Sequence, residues 1–207
     1  MRHPFLKRTI DIVVAGPLLI LSLPVQVLVA LMVRRRLGSP VLFRQQRPGL
    51  HGEPFTLVKF RTMEPVRPEL GLVDDHQRMT DLGRVLRAMS LDELPTLWNV
   101  LRGDMSLVGP RPLLLDYLPL YSAAESRRHA VRPGVTGLAQ VSGRNGLAWS
   151  DRLATDVWYV NNWSVGLDVK ILARTVGVVV GRRGVSEEGS VTSSTLTQHR
   201  LSKHDNP

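Results

Sequence analysis

The chain of 207 residues contains no cysteine, so disulfide frameworks, thiolate zinc sites and cysteine nucleophiles are excluded. Its six histidines are scattered and form no HExxH pattern, which makes a zinc enzyme a poor explanation. Aromatic residues account for only 5% of the chain, which leaves few rings on which nucleic-acid bases would stack.

Acidic residues are outnumbered, with 18 Asp and Glu against 27 Lys and Arg. A basic balance favours partners that carry phosphate, namely lipid headgroups, nucleotides or nucleic acid. Because helix-turn-helix, RNP and zinc-finger patterns are missing, a membrane-tethered nucleic-acid-binding protein is a weak alternative, and we expect no nucleic-acid partner. The length suits one catalytic unit with appendages.

Charge is also missing from Ile12 to Val33. At about 1.5 Å per residue, a straight helix of this length would just cross a bilayer core of roughly 30 Å. Basic residues lie on both sides of the segment, and the positive-inside bias therefore points both ends toward the cytoplasm. These flanking residues are Arg2, Lys7 and Arg8 before it and Arg34, Arg35 and Arg36 after it.

Pro24 lies in the middle of this segment, where it has no N–H to donate and crowds the carbonyl of Ile20. Ser22 is close enough to help satisfy the freed backbone groups. We predict a re-entrant helix-break-helix over residues 1–36 that enters an anionic phospholipid bilayer and returns. A spanning helix is the first alternative. A cleaved signal peptide is disfavoured because no small-x-small site follows the apolar run.

Two apolar, strand-like runs follow, Val41–Gln45 and Phe55–Phe60, and the prolines and glycines between them predict a β-hairpin with a long tip. The polar stretch Glu64–Met79 is predicted to be a loop. Helical spacing of apolar residues predicts a short amphipathic helix from Leu82 to Met89. A second helix is expected from Ser90 to Leu101, with Ser90 as N-cap and Gly103 as its stop.

The second half of the chain is predicted to hold a turn, a short extended run and two helices. These are Arg132–Gly134, Val135–Val141, Trp149–Asn161 and Leu167–Val180. The last helix would either lie on anionic lipid or pack against the core. We therefore predict an α+β fold, with a membrane-interface catalytic domain over residues 37–186 and a flexible polar tail over residues 187–207.

Asp92 and Glu93 are the first candidates for catalysis. A structural explanation competes with this, because Glu93 stands where a capping-box glutamate belongs and Asp92 would complement the helix dipole. The surroundings favour function: a helix start attracts anions, Arg87 lies just before it, and Arg111 follows within the rigid segment Gly109–Pro112.

Pro110 and Pro112 fix the backbone around Arg111, so its guanidinium can be held for bidentate contact with phosphate oxygens at little entropic cost. Lys59, at the end of a strand, and Arg144, in a Ser-Gly-Arg-Asn turn, are further candidates. Taken singly, a solvated surface charge explains each of these cations as well.

Three runs together closely resemble the bacterial sugar transferase family, the monotopic polyprenol-phosphate phosphoglycosyl transferases. The first is Lys59–Met63, the second Ser90–Pro112, and the third Val131–Val141 with Gly143, Arg144 and Asn145 behind it. The resemblance extends from about Lys7 to Ser186. The size of the chain is similar to the minimal, stand-alone catalytic form of the family.

This resemblance implies that Asp92 is a nucleophile that attacks the sugar-linked phosphorus of a UDP-sugar, expels UMP and carries the phosphosugar covalently. A polyprenol phosphate, in bacteria undecaprenyl phosphate, then takes the phosphosugar. Glu93 is implied as the acidic partner, with Asp92 and Glu93 as the protein ligands of Mg²⁺. Positioning and charge neutralisation supply most of the acceleration in such phosphoryl transfers.

The resemblance also implies that cations and the flanking prolines contact phosphate or nucleotide. These residues are Lys59, Arg87, Arg111, Arg144, Pro110 and Pro112. Ser22 and Pro24 match the helix-breaking region of the family, although Leu23 stands between them where the family's serine directly precedes its proline. The family's acceptor lies at headgroup level, so we expect the chain at the bacterial inner membrane, with its catalytic domain on the cytoplasmic face.

Two further alternatives stay open at this point. A catalytically inactive membrane scaffold would keep the fold without the reaction, and a glycosyltransferase would release UDP instead of UMP. The sequence does not specify the sugar, the glycan (exopolysaccharide, O-antigen, capsule or glycoprotein glycan) or whether the chain forms a homo-oligomer.

Overall fold

The computed structural model describes residues 4–143, 147–180 and 196–197, and the fold is mixed α and β. Helix α1 is Pro4–Arg36, and a β-hairpin follows it, with strands β1 (Leu42–Pro48) and β2 (Pro54–Phe60). Short elements connect the hairpin to the two carboxyl-terminal helices, α7 (Trp149–Asn161) and α8 (Val165–Val180). In chain order, the short elements are α2 (Asp75–Arg78), α3 (Asp81–Ala88), α4 (Thr96–Arg102), β3 (Ser106–Val108), α5 (Ala123–Ser126), β4 (Gly134–Thr136) and α6 (Leu138–Ser142).

Among the described residues, α1 is the helix that is long and apolar enough to cross a membrane. Its middle is open, with Ile20 66% and Leu21 76% exposed. Its first half is fastened to the rest of the domain by polar contacts, as Arg8 donates to the carbonyls of Val100 (2.5 Å) and Leu101 (2.7 Å) at the end of α4. Cationic groups are favoured at a helix carboxyl terminus, where backbone carbonyls lack partners.

Two more side chains of α1 are buried against the rest of the domain. Lys7 Nζ lies 2.5 Å from Asp168 Oδ2, and Asp11 accepts hydrogen bonds from Ser106 Oγ and Leu107 N, both at 2.9 Å. At the other end of the helix, Val29 and Val33 are buried with Phe60 and Leu86. Both ends of α1 therefore pack on the same domain, while its middle does not.

Helical backbone continues through Pro17 and Pro24. Ser22 Oγ donates to the carbonyl of Leu19 at 3.0 Å, one residue before the Ile20 carbonyl that Pro24 deprives of its donor. Gln26 donates to Ser22 Oγ at 2.9 Å. Ser22 thus makes a backbone contact in the region where the break is predicted, and the break itself stays a prediction.

The predicted hairpin is confirmed. Strands β1 and β2 pair antiparallel, from Leu42 opposite Phe60 to Pro48 opposite Pro54, so β1 begins one residue later and ends three residues later than the predicted run. The predicted loop before α3 was wrong in part, because α2 forms inside it. Asp74 N donates to Gln77 Oε1 at 2.9 Å, which stabilises this single turn.

Helix α3 agrees with the prediction, but the predicted helix from Ser90 does not form as one piece. Ser90 has φ +55° and its side chain makes no capping bond, so its predicted role as N-cap was wrong. A 3-10 turn covers Leu91–Glu93, and α4 begins only at Thr96. Pro95 explains this, because proline is tolerated in the first turn of a helix but not in its interior. Gly103, in the left-handed region, ends α4 as predicted.

A small parallel sheet pairs Ser106 with Gly134 and Val108 with Thr136. The predicted extended run Val135–Val141 was therefore right only at its start, since α6 forms from Leu138. Helix α7 has the predicted bounds, and α8 begins two residues earlier than predicted. The chain is packed so closely at this sheet that a Cβ on Gly134 would lie 2.1 Å from Gly109 N, directly after β3.

The main core joins α1, the hairpin, α4 and the last two helices, with Val100, Met105, Val108, Tyr159 and Ile171 almost fully buried. A second cluster, which includes Tyr117 and Leu153, also buries Leu196. Leu196 and Thr197 are the described residues of the predicted polar tail, and the rest of that segment lies outside the described residues. The predicted domain bounds remain predictions.

Candidate active site

Asp92 and Glu93 sit on the 3-10 turn that links α3 to α4. Asp92 is 7% exposed. Its carboxylate makes neither a hydrogen bond nor an ion pair within 4.0 Å with any residue that the structure describes. A buried carboxylate without a partner is costly for the fold and is characteristic of a group kept for a ligand or a reaction.

Glu93, in contrast to Asp92, has two cationic partners. Lys59 Nζ lies 2.5 Å and Arg111 Nη2 3.1 Å from the same oxygen, Oε1. Lys59 comes from the end of β2 and Arg111 from the segment after β3, so Glu93 ties three separate parts of the chain together. The structure brings these three predicted residues into direct contact.

The two neighbouring carboxyl groups are shifted in opposite directions. Burial raises the pKa of Asp92, and the adjacent Glu93 raises it further, against the attraction of Lys59, Arg87 and Arg111. Burial would also raise the pKa of Glu93, but Lys59 and Arg111 outweigh it and lower that pKa to about 2. Glu93 is therefore an anion that neutralises cations, and Asp92 is a carboxylate that its surroundings leave destabilised.

Arg87, in the last turn of α3, completes the surroundings of Asp92. Its Nε donates to Thr62 Oγ1 at 3.1 Å, and Nη2 lies 3.5 Å from Met63 Sδ. Burial lowers the pKa of Arg87, and Asp92 is the foremost group that raises it again. Arg87 thus contributes positive potential at Asp92 without forming a close ion pair with it.

The Gly-Pro-Arg-Pro segment is fixed through its backbone, because each carbonyl from Pro110 to Pro112 receives a hydrogen bond. Pro110 O accepts from Gly134 N at 3.0 Å, Arg111 O from Arg128 Nη2 at 2.7 Å, and Pro112 O from Arg47 Nη1 at 3.4 Å. With two prolines and three donors, this backbone is rigid, while the Arg111 side chain remains 47% exposed and free to meet a ligand.

Arg128, which supplies one of those donors, is itself locked in place. Its Nη2 and Nε lie 2.7 and 3.2 Å from Asp156 Oδ2 on α7, and the two side chains are 1% and 4% exposed. Loss of either partner from a buried pair of this kind strongly destabilises a protein, because the other charge is left buried and unpaired. Through the hydrogen bond from Arg128 to Arg111 O, the pair therefore fixes the position of the Arg111 backbone relative to the core.

A pocket of about 70 Å³ lies beside Glu93. Three cations line it, Arg47, Lys59 and Arg111, together with Glu93, Thr96 and apolar or backbone surface that includes Leu57 and Val135. The pocket is therefore positive and opens between the hairpin and the Gly-Pro-Arg-Pro segment.

Comparison with known proteins identifies the family. The family model described as bacterial sugar transferase matches residues 2–182. The chain belongs to the bacterial sugar transferase family. It is 51% identical over 193 residues to the uncharacterized sugar transferase EpsL of Bacillus subtilis, covering 93% of this chain and 96% of that protein.

Two other members of the bacterial sugar transferase family carry more specific names. The UDP-glucose:undecaprenyl-phosphate glucose-1-phosphate transferase of Caulobacter vibrioides is 45% identical over 183 residues, covering 82% of this chain and 68% of that protein. The undecaprenyl-phosphate galactose phosphotransferase of Salmonella typhimurium is 42% identical over 198 residues, which cover 87% of this chain but only 41% of that longer protein.

In this member of the family, the carboxylates of Asp92 and Glu93 are suited to bind a hard cation. Both cationic contacts of Glu93 fall on Oε1, which leaves Oε2 without a hydrogen bond to the described residues. Asp92 has no cationic contact within 4.0 Å in the same part of the chain. Mg²⁺ is usually held by one or two carboxylates together with substrate phosphates and water, so the pair fits. Among the described residues, no three acidic or histidine side chains lie together in a way that could hold a metal ion.

Several site residues escaped the sequence-based prediction. Arg47 and the Arg128–Asp156 pair looked like ordinary surface charges, since nothing in their local sequence marks them. Only the alternation of β1, which places Arg47 on the same face as Gln45, hints that it points inward. Arg144, which was predicted to bind phosphate, lies outside the described residues.

Proposed function

We propose that the chain is a polyprenol-phosphate phosphoglycosyl transferase that moves a sugar 1-phosphate from a UDP-sugar to undecaprenyl phosphate. The observation that carries this proposal is the buried, unpartnered carboxylate of Asp92 among Lys59, Arg87 and Arg111. The name of the Caulobacter relative supports the same donor and acceptor classes, and that of the Salmonella relative supports the same acceptor. We expect the product to enter the assembly of a surface glycan such as an exopolysaccharide.

In the first step, an oxygen of Asp92 attacks the phosphorus that bears the sugar. The bond from that phosphorus to the UMP oxygen breaks, and UMP leaves with the electron pair. The phosphosugar is then an aspartyl ester. Arg111 and Lys59 offset the negative charge of the diphosphate, and Arg87 offsets that of the carboxylate, so two anions can meet.

In the second step, an oxygen of the polyprenol phosphate attacks the same phosphorus. The bond to Asp92 breaks, its carboxylate is regenerated, and the polyprenol diphosphate sugar is released. Glu93 keeps Lys59 and Arg111 oriented throughout, because both bind its Oε1. Asp92 and Glu93 would hold Mg²⁺, which supplies further charge neutralisation at the phosphates when bound.

We propose that α1 is re-entrant and holds this site at the cytoplasmic face of the inner membrane. Two observations support this: both ends of α1 pack on one domain, and its apolar middle is exposed. A helix bends away from a proline in its interior, and Pro24 lies on the face opposite Ser22 and Gln26. A bend at this proline, directed toward the domain, is what a helix that enters the bilayer and returns would require.

The reaction is tested with purified enzyme, a panel of UDP-sugars and undecaprenyl phosphate, with the released nucleotide identified by chromatography. We expect UMP, release that depends on one or a few sugars, and loss of release in Asp92→Asn. Release of UDP would indicate a glycosyltransferase instead. If no donor supported release in a folded, membrane-bound preparation, the chain would be an inactive scaffold.

The topology is tested by cysteine labelling, for which the chain is a clean background because it has no cysteine of its own. Phe5→Cys and Ser39→Cys lie beside the two ends of α1, and Leu21→Cys lies in its exposed middle. In right-side-out cells a membrane-impermeant maleimide should leave all three unlabelled, and in inverted vesicles it should label Phe5→Cys and Ser39→Cys. Labelling of one end from each side would mean that α1 spans the membrane.

A further inference from the structure

Arg47 differs from the other cations of the pocket beside Glu93 because it has no carboxylate partner among the described residues. It lies on the face of the hairpin that also carries Leu57 and Lys59, and all three line the pocket. Its Nη2 donates to Gln45 Oε1 at 2.6 Å and its Nη1 to the carbonyl of Pro112 at 3.4 Å. No carboxylate lies within 4.0 Å of Arg47 in the described part of the chain.

One of its donors has no partner in the part of the chain that the structure describes. Arg47 Nε is buried from solvent and makes no hydrogen bond with these residues. A buried N–H group without an acceptor destabilises the fold, more so when the group is charged, so native proteins rarely keep one without a reason. An acceptor in the pocket to which the guanidinium can turn would remove this cost.

The charge of the pocket points to an anion as that acceptor. Burial and the neighbouring Arg111 lower the pKa of Arg47 to about 10, so it is still a cation at neutral pH. Glu93 is the acidic residue that lines the pocket, and its contacts are already taken by Lys59 and Arg111. Three cations and one carboxylate therefore leave an excess of two positive charges among the described residues that line the pocket.

We propose that Arg47 is a phosphate-binding residue of this pocket and acts together with Arg111 on one phosphate group of the phosphorylated substrates. The inference rests on the proposed function and adds a residue to it. A pocket of about 70 Å³ is far smaller than the roughly 300–1,000 Å³ of sites for whole ligands, which suits a single anionic group. Guanidinium groups match phosphate oxygens through paired N–H donors.

Phosphate reaches this site from two sources, the diphosphate of the UDP-sugar and the monophosphate of the polyprenol acceptor. The test compares Arg47→Gln with Arg44→Gln, a matched control on the same strand whose side chain is exposed. We expect Arg47→Gln to raise the KM for one of the two substrates about 10- to 100-fold. Arg44→Gln should change neither KM more than about twofold, and Arg47→Lys should recover part of the loss.

A change in the donor KM, and in the rate of UMP release with donor alone, assigns Arg47 to the diphosphate. A change confined to the acceptor KM assigns it to the polyprenol phosphate. Thermal unfolding adds a readout that a structural role would not give: unliganded Arg47→Gln should melt at the wild-type temperature or above it, and the upward shift caused by UMP or pyrophosphate should shrink in the donor case.

Two results would overturn the inference: kinetic constants in Arg47→Gln that match those of Arg44→Gln, or a melting temperature of unliganded Arg47→Gln well below wild type, which would make Arg47 a structural residue. Failure of the proposed function is distinguishable, because the wild-type enzyme would then release no UMP from any donor, whatever the behaviour of the variants.

Discussion

Charged side chains are arranged differently in two regions of this domain. Under α1 and beneath the Gly-Pro-Arg-Pro segment, each buried charge that packs elements together has partners: Lys7 with Asp168, Asp11 with Ser106, and Arg128 with Asp156. Around the 3-10 turn, the carboxylate of Asp92 has no such partner among the described residues. In the pocket close by, Arg47 has only neutral partners there, and its Nε has none.

We interpret this difference as a separation between charges that hold the fold and charges that are proposed to contact a substrate. A paired buried charge fixes the register of two elements and gains nothing from a ligand. An unpaired one destabilises the empty enzyme and is relieved when a phosphate or a metal ion arrives. Removing charges from the two regions should therefore change stability in opposite directions.

The largest effect is expected at Asp92. Asp92→Asn should reduce turnover at least about 1,000-fold, because the amide keeps the shape but is no longer a nucleophile. The same change should raise the melting temperature, since it removes a buried carboxylate that has no partner. Steady-state UMP release and thermal unfolding of one preparation give both values. A variant that is inactive and also less stable would place Asp92 among the structural charges.

The second effect concerns stability and is tested by comparing two neighbouring arginines. Arg128→Gln should lower the free energy of unfolding by about 3 kcal/mol, because it leaves Asp156 buried without its cation. Arg127→Gln, which removes an exposed arginine that contacts Asn161, should cost less than about 0.5 kcal/mol. Denaturant unfolding of both variants measures the difference. Equal losses would show that the buried pair does not fasten the segment.

A smaller effect is expected at Glu93, with a sign opposite to that at Asp92. Because Lys59 and Arg111 hold the pKa of Glu93 at about 2, below its ordinary value of 4.5, its ionised form stabilises the fold. That stabilisation is fully present above pH 4.5 and is lost as the pH falls toward 2. Glu93→Gln should therefore destabilise the protein by on the order of 1 kcal/mol at neutral pH.

The stability difference between Glu93→Gln and wild type should also narrow in acid. Unfolding curves measured at pH 7, 4 and 3 check this dependence. A difference that stays constant with pH would mean that Lys59 and Arg111 do not depend on the charge of Glu93.

Those parts of the fold that carry a strong periodic pattern could be predicted from the sequence. The hairpin, α3, α7 and α8 follow from apolar alternation or helical spacing alone. The capping-box pattern at Ser90 led to a wrong helix start, because such a pattern describes only local hydrogen bonds. Pro95 prevents a helix from running on from Ser90, so α4 begins after it. The parallel pair β3 and β4 joins residues far apart in sequence, and three-residue strands show no period.

The candidate site was predicted only where a motif marks it. Asp92, Glu93, Lys59 and Arg111 belong to runs that resemble a family, and the structure brings them together. Arg47 and Arg128 became visible only through burial and hydrogen bonding, because a buried and an exposed arginine look alike in sequence. The docking role of Lys7 likewise required its partner Asp168 to be placed.

The central claim is that Asp92 carries the phosphosugar. Intact-mass and peptide mass spectrometry of the enzyme, quenched in acid after incubation with its UDP-sugar and no acceptor, tests it most directly. The account predicts a mass increase equal to one sugar phosphate on the peptide that contains Asp92, absent from Asp92→Asn and discharged by adding undecaprenyl phosphate. An enzyme that turns over fully yet shows no such ester, or shows it on another residue, would contradict it.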